Sequence, residues 1–244
     1  LVIVVLLGAV LVKAKQHPER ERNREVMGQI IRIGLPSACE TAIYNVSMTL
    51  VIRFLNQMDA QGLNVTARSY TMHITNFSYR VGAALAQANA IMTGWHIGAK
   101  EYDACDRGTK KAAVIGVIVA VILETVFTLC SGWIMQLFSK DPQMVSLVGK
   151  LLAIDIVLEI GRVTNLVYGQ ALKTSGDAVF PVVMGACFMI LCSVGGTYLF
   201  GIRLGLLAVG AYIGMAGDEC VRAVGMYLRW KSGKWKEKGL VKSR

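Results

Sequence analysis

Apolar residues dominate six long blocks of the chain, and short polar or charged stretches separate these blocks. A helix of roughly 20 mainly apolar residues crosses a bilayer core of about 30 Å, and each block reaches that length. The pattern therefore predicts an all-α protein, a polytopic bundle of transmembrane helices without β-sheet. The six predicted helices cover residues 27–52, 66–95, 109–135, 143–172, 181–200 and 206–228. At the start of the fourth, Asp141 is the predicted N-cap and Pro142 takes the first helical position.

The two ends of the chain differ from the six blocks. Residues 1–12 are apolar but too few to cross a bilayer as a helix, and they lack the basic region and cleavage site of a signal peptide. We interpret them as the end of a truncated transmembrane helix whose start is missing. The predicted organisation is completed by a charged cytoplasmic linker at 13–26, a six-helix lobe at 27–228 and a basic cytoplasmic tail at 229–244.

The positions of Lys and Arg predict the orientation of the helices. The chain carries 26 Lys and Arg against 16 Asp and Glu, a net charge of +10. If successive helices cross the membrane in alternating directions, almost all Lys and Arg residues outside the blocks lie on one side of the membrane. Arg53, Lys140 and Arg203 lie on the other side. An excess of Lys and Arg marks cytoplasmic loops, which predicts a multi-pass protein of the plasma (inner) membrane with cytoplasmic linker and tail. The positive charge then faces lipid headgroups, and no nucleic-acid partner is expected.

The composition excludes most soluble enzymes. Hydrophobic residues make up 54% of the chain and charged residues 17%, against about a quarter charged in a typical soluble domain. The sequence contains no HExxH, GxSxG, P-loop or GxGxxG motif, so no catalytic residue and no organic cofactor are predicted. The six Cys residues form no CxxC pair and show no metal-ligand spacing, so no metal site is predicted.

Ionisable side chains lie near the middle of four consecutive predicted helices. Such groups are costly in a bilayer and are by default candidates for function. Asp155, Glu159 and Arg162 share one helix face because they are spaced i, i+4 and i+7. The structural alternative is that Glu159 and Arg162 neutralise each other and lock the bundle. The candidate cation- or substrate-binding residues are Glu40, Asn76, Arg80, Glu124, Asp155, Glu159, Arg162 and Asn165.

Glu40 is the leading candidate for a carboxylate that responds to cations, because no basic residue lies three or four positions from it. Pro36 precedes it by four residues, and a proline kink would leave backbone carbonyls free beside the carboxylate. The alternative is that Pro36 only begins the helix. If Glu40 instead faces a basic residue such as Arg80, the two form a fixed ion pair.

Small residues recur at helical spacing on two of the predicted helices, which permits close helix contact. Asp218, Glu219 and Arg222 are predicted to form a local salt-bridge cluster near the cytoplasmic end of the last helix, with little role in transport. The stripes of small residues are Gly82, Ala86, Ala90 and Gly94 on the second helix and Gly210 and Gly214 on the sixth.

Several segments together resemble the multidrug and toxic compound extrusion (MATE) family of efflux transporters. The resemblance covers residues 27–235 and corresponds to helices seven to twelve of the family's twelve, with residues 1–12 as the end of helix six. The segments are Ile33–Glu40 (IGLPSACE), Glu159–Asn165 (EIGRVTN), Ala171–Asp177 (ALKTSGD) with Pro181, Asp218 and Glu219 with Arg222, and Arg229–Trp235 (RWKSGKW).

The resemblance implies a cation-coupled antiporter. Na⁺ or H⁺ would flow in while drugs or other amphipathic, often cationic, molecules flow out, and this lobe would rock against an N-terminal six-helix half. Some sodium-coupled members have an acidic residue on helix ten where this chain has Arg162, so their carboxylate site does not transfer whole. The resemblance therefore leaves the coupling ion open.

Two other functions compete with drug efflux. A flippase for lipid-linked sugars, from the same superfamily, would have a wide and basic cavity. A non-transporting membrane scaffold would have no cavity, and its mid-membrane charges would all be paired.

Overall fold

The protein is a bundle of long helices. A computed structural model describes residues 20–58 and 62–238, and this part of the chain contains helices and no strand. One long helix corresponds to each predicted block, which confirms the fold class. The helices are α1 (Arg20–Met58), α2 (Leu63–Gly98), α3 (Tyr102–Leu129), the short α4 (Ser131–Met135), α5 (Pro142–Thr174), α6 (Val179–Arg203), α7 (Leu207–Lys231) and a 3₁₀ helix at Lys234–Glu237.

The chain divides into two compact units, residues 1–35 and 36–244. In the first unit the predicted helix end at 1–12 lies outside the described residues. The predicted linker at 13–26 is helical from Arg20 onward, where Glu and Arg, good helix formers, dominate. Pro36 lies well inside the bounds of α1, so its interpretation as the start of a helix is wrong. The cavities and ion pairs described below all lie within the second unit.

The helices extend beyond the apolar blocks that predicted them. α3 begins at Tyr102, seven residues before the predicted start, because its first turns are polar and carry the i,i+4 ion pair between Asp106 and Lys110. Hydropathy marks only the apolar part of a helix. The predicted start of α5 is confirmed: Asp141 Oδ1 accepts a hydrogen bond from Gln143 N at 2.9 Å, and Pro142 takes the first helical position.

α5 lies at the centre of the bundle and packs against α2, α3 and α7. At Gly161 a Cβ atom would lie 2.7 Å from the backbone N of Cys220, so α5 and α7 meet backbone to backbone. The predicted small-residue stripe on α2 faces α5, because a Cβ at Gly82 would lie 2.8 Å from Cγ2 of Val163. Small residues thus let three helices converge where the charged residues lie.

α6 and α7 approach through the second predicted stripe. A Cβ at Gly214 would lie 2.9 Å from the backbone C of Gly196, and a Cβ at Gly210 would clash with the backbone of Phe200. α6 widens into π-helical turns at Met189–Val194 and Thr197–Arg203, the latter including Phe200. The glycines of α7 therefore permit the close contact that the sequence predicted.

Two apolar clusters lie toward opposite ends of the long helices, with a polar band between them. One cluster includes Leu151 and Tyr212, and the other includes Val167 and Trp230. Along α5 and α7 the charged residues fall between these two sets of buried positions. The polar band lies in the middle of the bundle, where membrane helices ordinarily pack through apolar side chains.

Large apolar side chains cover the outer surface of α3. Among the described helices, α3 (Tyr102–Leu129) and α6 (Val179–Arg203) are long and apolar enough to cross a membrane by length and composition alone. α5 is interrupted by the charges of the polar band. The exposed apolar residues of α3 are Val114, Ile115, Ile118, Ile122, Val126 and Leu129.

The segment after α7 folds back against one end of the bundle. The Trp235 ring stacks on that of Trp230 with centroids 4.2 Å apart, and Trp235 Nε1 donates to the Trp230 carbonyl. Arg229 Nε and Lys238 Nζ each lie 2.6 Å from a carboxylate oxygen of Asp177, in the turn between α5 and α6. The turn and the start of the tail therefore lie at the same end, as the Lys and Arg pattern requires.

Candidate functional site

A cavity of about 540 Å³ opens in the polar band. α1, α2, α5, α6 and α7 all contribute to its wall. Side chains of both charges and several hydroxyl and amide groups face it, so it can hold a polar or charged group. It is lined by Glu40, Thr41, Tyr44, Asn45, Tyr79, Arg162, Asn165, Leu166, Gln170, Lys173, Met189, Glu219 and Arg222.

Glu40 lines this main cavity and is paired with a lysine. Lys173 Nζ lies 2.5 Å from Glu40 Oε2, and the two side chains are only 17% and 19% exposed. The expected alternative partner, Arg80, is exposed and donates from Nε to Asn76 Oδ1 at 3.4 Å. Glu40 is therefore both a cavity residue and a member of an ion pair, two properties that the sequence treated as alternatives.

Arg162 connects the acidic residues of α5 and α7. Its Nη1 donates to Glu159 Oε2 at 2.7 Å, which gives the predicted i,i+3 pair, and its Nε lies 3.7 Å from Glu219 Oε1. Asn165 Nδ2 donates to Glu219 Oε2 at 3.0 Å. Arg162 thereby contacts two carboxylates: that of Glu159, which is buried behind the cavity wall, and that of Glu219, which lines the cavity.

Asp218, Glu219 and Arg222 lie at the middle of α7, and their predicted position near its cytoplasmic end is wrong. The predicted salt-bridge cluster is confirmed, because Arg222 Nη2 lies 2.9 Å from both Asp218 Oδ2 and Glu219 Oε1. Charges that neutralise one another in this way are tolerated deep in a bundle. Glu219 and Arg222 also line the main cavity, where they had been given little role.

A second cavity of about 280 Å³ adjoins the first. The two share Tyr44, Tyr79 and Arg162, so the Arg162 guanidinium lies between them. The predicted residues Asn76 and Asp155 line this second cavity. Its remaining lining residues are Arg68, Met72, His73, Thr75, Tyr212 and Met215.

Three predicted site residues line neither cavity wall: Arg80, Glu124 and Glu159. Arg80 points to the exposed side of α2, and Glu124 of α3 is fully buried. Within the described ranges, neither carboxylate oxygen of Glu124 has a hydrogen-bond partner. Glu159 is likewise fully buried and reaches the cavities only through Arg162. Arg80 and Glu159 lie near the middle of their helices, as predicted, whereas Glu124 lies near the end of α3. The sequence did not predict which side of each helix faces a cavity.

The sequence missed Lys173, Tyr44 and Tyr79. Lys173 follows the apolar block at 143–172 directly, so it was one of the Lys and Arg residues outside the blocks that predict the cytoplasmic side. A signal was available, since Lys173 follows Glu159 by fourteen positions, four helical turns on the same face of α5. Tyr44 follows Glu40 by four residues and shares its face in the same way. In the residues that the structure covers, no three His, Cys, Asp or Glu side chains are grouped to hold a metal ion.

The fold and the site together define a class of protein. Long helices with an apolar outer surface enclose adjoining cavities whose walls carry opposite charges near the middle of the bundle. Such an arrangement is typical of a polytopic membrane protein that binds a small polar or charged molecule between its helices. The chain belongs to the MatE family, a family of transporters, which its residues 36–199 match.

Curated relatives are named as a transporter and as a multidrug resistance protein. The chain is 34% identical over 239 residues to the uncharacterized transporter YisQ of Bacillus subtilis, covering 98% of this chain and 52% of that protein. It is 22% identical to the probable multidrug resistance protein NorM of Pasteurella multocida, covering 86% of this chain and 46% of NorM. The chain thus spans about half the length of the curated relatives it matches.

Solved structures share the fold. A crystal structure of MATE in the straight conformation superposes with a TM-score of 0.77 at 19% identity, covering 88% of this chain and 48% of that one. The MATE transporter ClbM in complex with Rb⁺ superposes with a TM-score of 0.77 at 17% identity, covering 96% of this chain and 52% of that one. At these identities the likeness concerns the fold.

Proposed function

We propose that this chain is the C-terminal six-helix lobe of a cation-coupled antiporter that exports drugs or other amphipathic small molecules, cationic ones among them. Transport proceeds by alternating access against an N-terminal six-helix half, with Na⁺ or H⁺ as the coupling ion. The observation that carries the proposal is the main cavity, of about 540 Å³, with Glu40 on its wall. Only a group on the wall of such a cavity can meet both an ion and a cargo molecule.

The Glu40–Lys173 pair supplies the chemistry of exchange. The carboxylate is held by one ammonium group at 2.5 Å, and a proton, a sodium ion or the cationic group of a cargo molecule competes with that ammonium. Because a single carboxylate satisfies one cation at a time, binding of the ion and of the cargo oppose each other. Mutually exclusive binding at one site is the minimum requirement of an antiporter.

The family supports a membrane location and a second lobe. YisQ and NorM are about twice as long as this chain, which agrees with a lobe that works beside a complementary half. The proposed orientation places the linker and the tail in the cytoplasm of a cell whose plasma (inner) membrane holds the helices. Anionic lipid headgroups are then the neighbours of the basic tail.

A flippase for lipid-linked sugars is the second candidate. Three cationic side chains line the main cavity, Arg162, Lys173 and Arg222, against the carboxylates of Glu40 and Glu219. On the wall itself cationic groups outnumber carboxylates by one, and an anionic cargo such as a lipid diphosphate would compete with Glu159 and Asp218, which lie behind the wall, for Arg162 and Arg222. A structural relative from Pyrococcus furiosus, with a TM-score of 0.69, is described as having a binding pocket of reverse polarity. A non-transporting scaffold is disfavoured by the cavities themselves.

The test uses the complete two-lobed protein in proteoliposomes, with transport of rhodamine 123 driven by a proton or a sodium gradient. Glu40→Gln keeps the size of the side chain and removes its charge. We expect normal insertion and loss of coupled transport. Glu101→Gln is the matched control, because Glu101 is an exposed glutamate that pairs with His96 outside the cavities.

Transport by Glu40→Gln at the wild-type rate, with unchanged dependence on pH and sodium, would remove Glu40 from the mechanism. Loss of expression in place of loss of transport would make the Glu40–Lys173 pair structural. Translocation of a fluorescent lipid-linked sugar by wild-type protein that moves no rhodamine would establish the flippase instead.

A further inference from the structure

We propose that Arg68 binds an anionic group of the transported molecule, so that the cargo includes amphipathic molecules with a carboxylate, sulfonate or phosphate. This inference rests on the proposed function, because it names a chemical class of cargo for the same transporter. The site is the second cavity, of about 280 Å³, with Arg68 of α2 on its wall.

Arg68 is a buried arginine without an acidic partner among the residues that the structure describes. Its residue is only 6% exposed, and among the described side chains no carboxylate lies within 4.0 Å of its guanidinium. Its Nε has no hydrogen-bond partner there either. Within the described ranges the Arg68 guanidinium makes a weak contact, from Nη2 to the sulfur of Met48 at 3.7 Å.

The Arg68 guanidinium differs in this respect from the other cationic side chains of the cavities, and burying it without an acidic partner is energetically costly. The other cationic side chains of the cavities are engaged: Lys173 by Glu40, Arg162 by Glu159, and Arg222 by Asp218 and Glu219. A buried charge without a partner loses its hydration and gains no compensating interaction. An anionic ligand removes that cost, and a guanidinium binds a carboxylate, sulfonate or phosphate through two parallel hydrogen bonds.

The rest of the second cavity fits the other parts of such a molecule. Tyr44, Tyr79 and Tyr212 line it with aromatic surface that an apolar or aromatic body can contact. Asp155 also lines the cavity, from α5, more than 4.0 Å from Arg68, and one of its carboxylate oxygens is unpaired in the described part of the chain. A zwitterion would satisfy both residues, whereas an inorganic ion would leave the aromatic wall empty.

The experiment compares two xanthene dyes of opposite charge, fluorescein and rhodamine 123. Their binding to the complete protein in phosphatidylcholine nanodiscs is measured by fluorescence anisotropy without any ion gradient. We expect Arg68→Gln to weaken fluorescein binding about tenfold or more and to leave rhodamine 123 within about threefold of wild type. Arg68→Lys keeps the charge and retains much of the fluorescein binding.

Arg53→Gln is the matched control, because Arg53 is an exposed arginine on α1 that lines neither cavity. It should bind both dyes like wild type. A second readout is the thermal midpoint: fluorescein should raise it for wild type and not for Arg68→Gln, which without dye should melt no lower than wild type. A structural arginine would instead lower the midpoint of the unliganded variant.

The inference is overturned if Arg68→Gln binds fluorescein as tightly as wild type, or if it loses both dyes equally. Nanodiscs with phosphatidylglycerol supply a second source of anionic groups. Unchanged fluorescein affinity there supports a soluble cargo, whereas loss of binding would assign Arg68 to a lipid headgroup and overturn its role in cargo binding. The binding assay uses no ion gradient and therefore does not depend on transport. If a dye binds through Arg68 but is not transported, the proposed function is refuted and the role of Arg68 in binding is retained.

Discussion

The ammonium group of Lys173 lies 2.5 Å from Oε2 of Glu40 and so joins two helices across 133 positions of sequence. Glu40 had no basic residue within one turn of its own helix, and its partner comes from the end of α5. The pair lies on the wall of the main cavity, where both side chains keep less than a fifth of their surface exposed. A binding carboxylate and a structural ion pair are therefore the same feature of this molecule.

The Glu40–Lys173 pair should show strong coupling in a double-mutant cycle. Lys173→Met leaves a carboxylate with little solvent and no cation, and removing one partner of a buried pair costs about 3–5 kcal/mol, less where some solvent remains. We expect Lys173→Met to lower the thermal midpoint more than the double variant Glu40→Gln/Lys173→Met does. Additive effects of the two substitutions would show that the pair contributes nothing to stability.

The buried glutamates Glu159 and Glu124 should respond differently to neutralisation. Both are fully buried, but Glu159 accepts a hydrogen bond from Arg162, whereas Glu124 has no such partner within the described residues. Glu159→Gln leaves the Arg162 charge poorly compensated and should destabilise the bundle by up to about 3–5 kcal/mol. Glu124→Gln should leave stability unchanged or raise it. Equal loss of thermal midpoint in both variants would contradict this difference.

Gly161 should not tolerate a methyl group. In Gly161→Ala the new Cβ meets the backbone of α7 at 2.7 Å from Cys220 N and 2.8 Å from Glu219 C, and backbone atoms cannot turn aside. Overpacking of this kind costs about 1–3 kcal/mol. Gly217→Ala is the matched control, because nothing lies within 4 Å of a Cβ there and alanine favours a helix by about 0.5–1 kcal/mol. Thermal midpoints should fall for the first variant and hold or rise for the second.

The docked tail should be released by acid. Burial alone would raise the pKa of Asp177, but its hydrogen bonds and ion pairs with Arg229 and Lys238 outweigh burial and lower the pKa below its ordinary value. A lowered pKa means that the contribution of Asp177 is fully present above about pH 4 and is lost as the pH falls through the folded pKa. Tryptophan fluorescence, compared with that of Trp235→Phe, should report release of the Trp235 ring only below about pH 4.

Asp177→Asn should release the same segment at neutral pH. A hydrogen bond to a charged group contributes about 1.5–3 kcal/mol, so the open state should become tenfold or more populated. Trypsin should then cleave after Lys234 or Lys238 faster than in wild type. Asp103→Asn is the control, because Asp103 is an exposed carboxylate on α3. Cleavage at the wild-type rate in Asp177→Asn would show that stacking on Trp230 alone holds the tail.

The sequence by itself determined the helical architecture. Length and hydropathy of the blocks predicted each long helix, because spanning a bilayer imposes a minimum apolar length that few other folds require. Local chemistry also predicted the start of α5 at Asp141 and Pro142, since a helix cap depends on neighbours in sequence. The spacing of glycines predicted where helices touch, because only a residue without Cβ allows backbones to approach.

The tertiary structure alone decided which charges meet and which face a cavity. Glu40 pairs with Lys173 and not with Arg80, and Glu124 is buried while Glu219 lines the main cavity. Periodicity places a residue on a helix face but does not say what packs against that face. Ion pairs between helices depend on the rotation and depth of both partners, which the packing of the whole bundle sets. The missing acidic partner of Arg68 is of the same kind, because its absence among the described residues becomes visible only when the helices around Arg68 are in place.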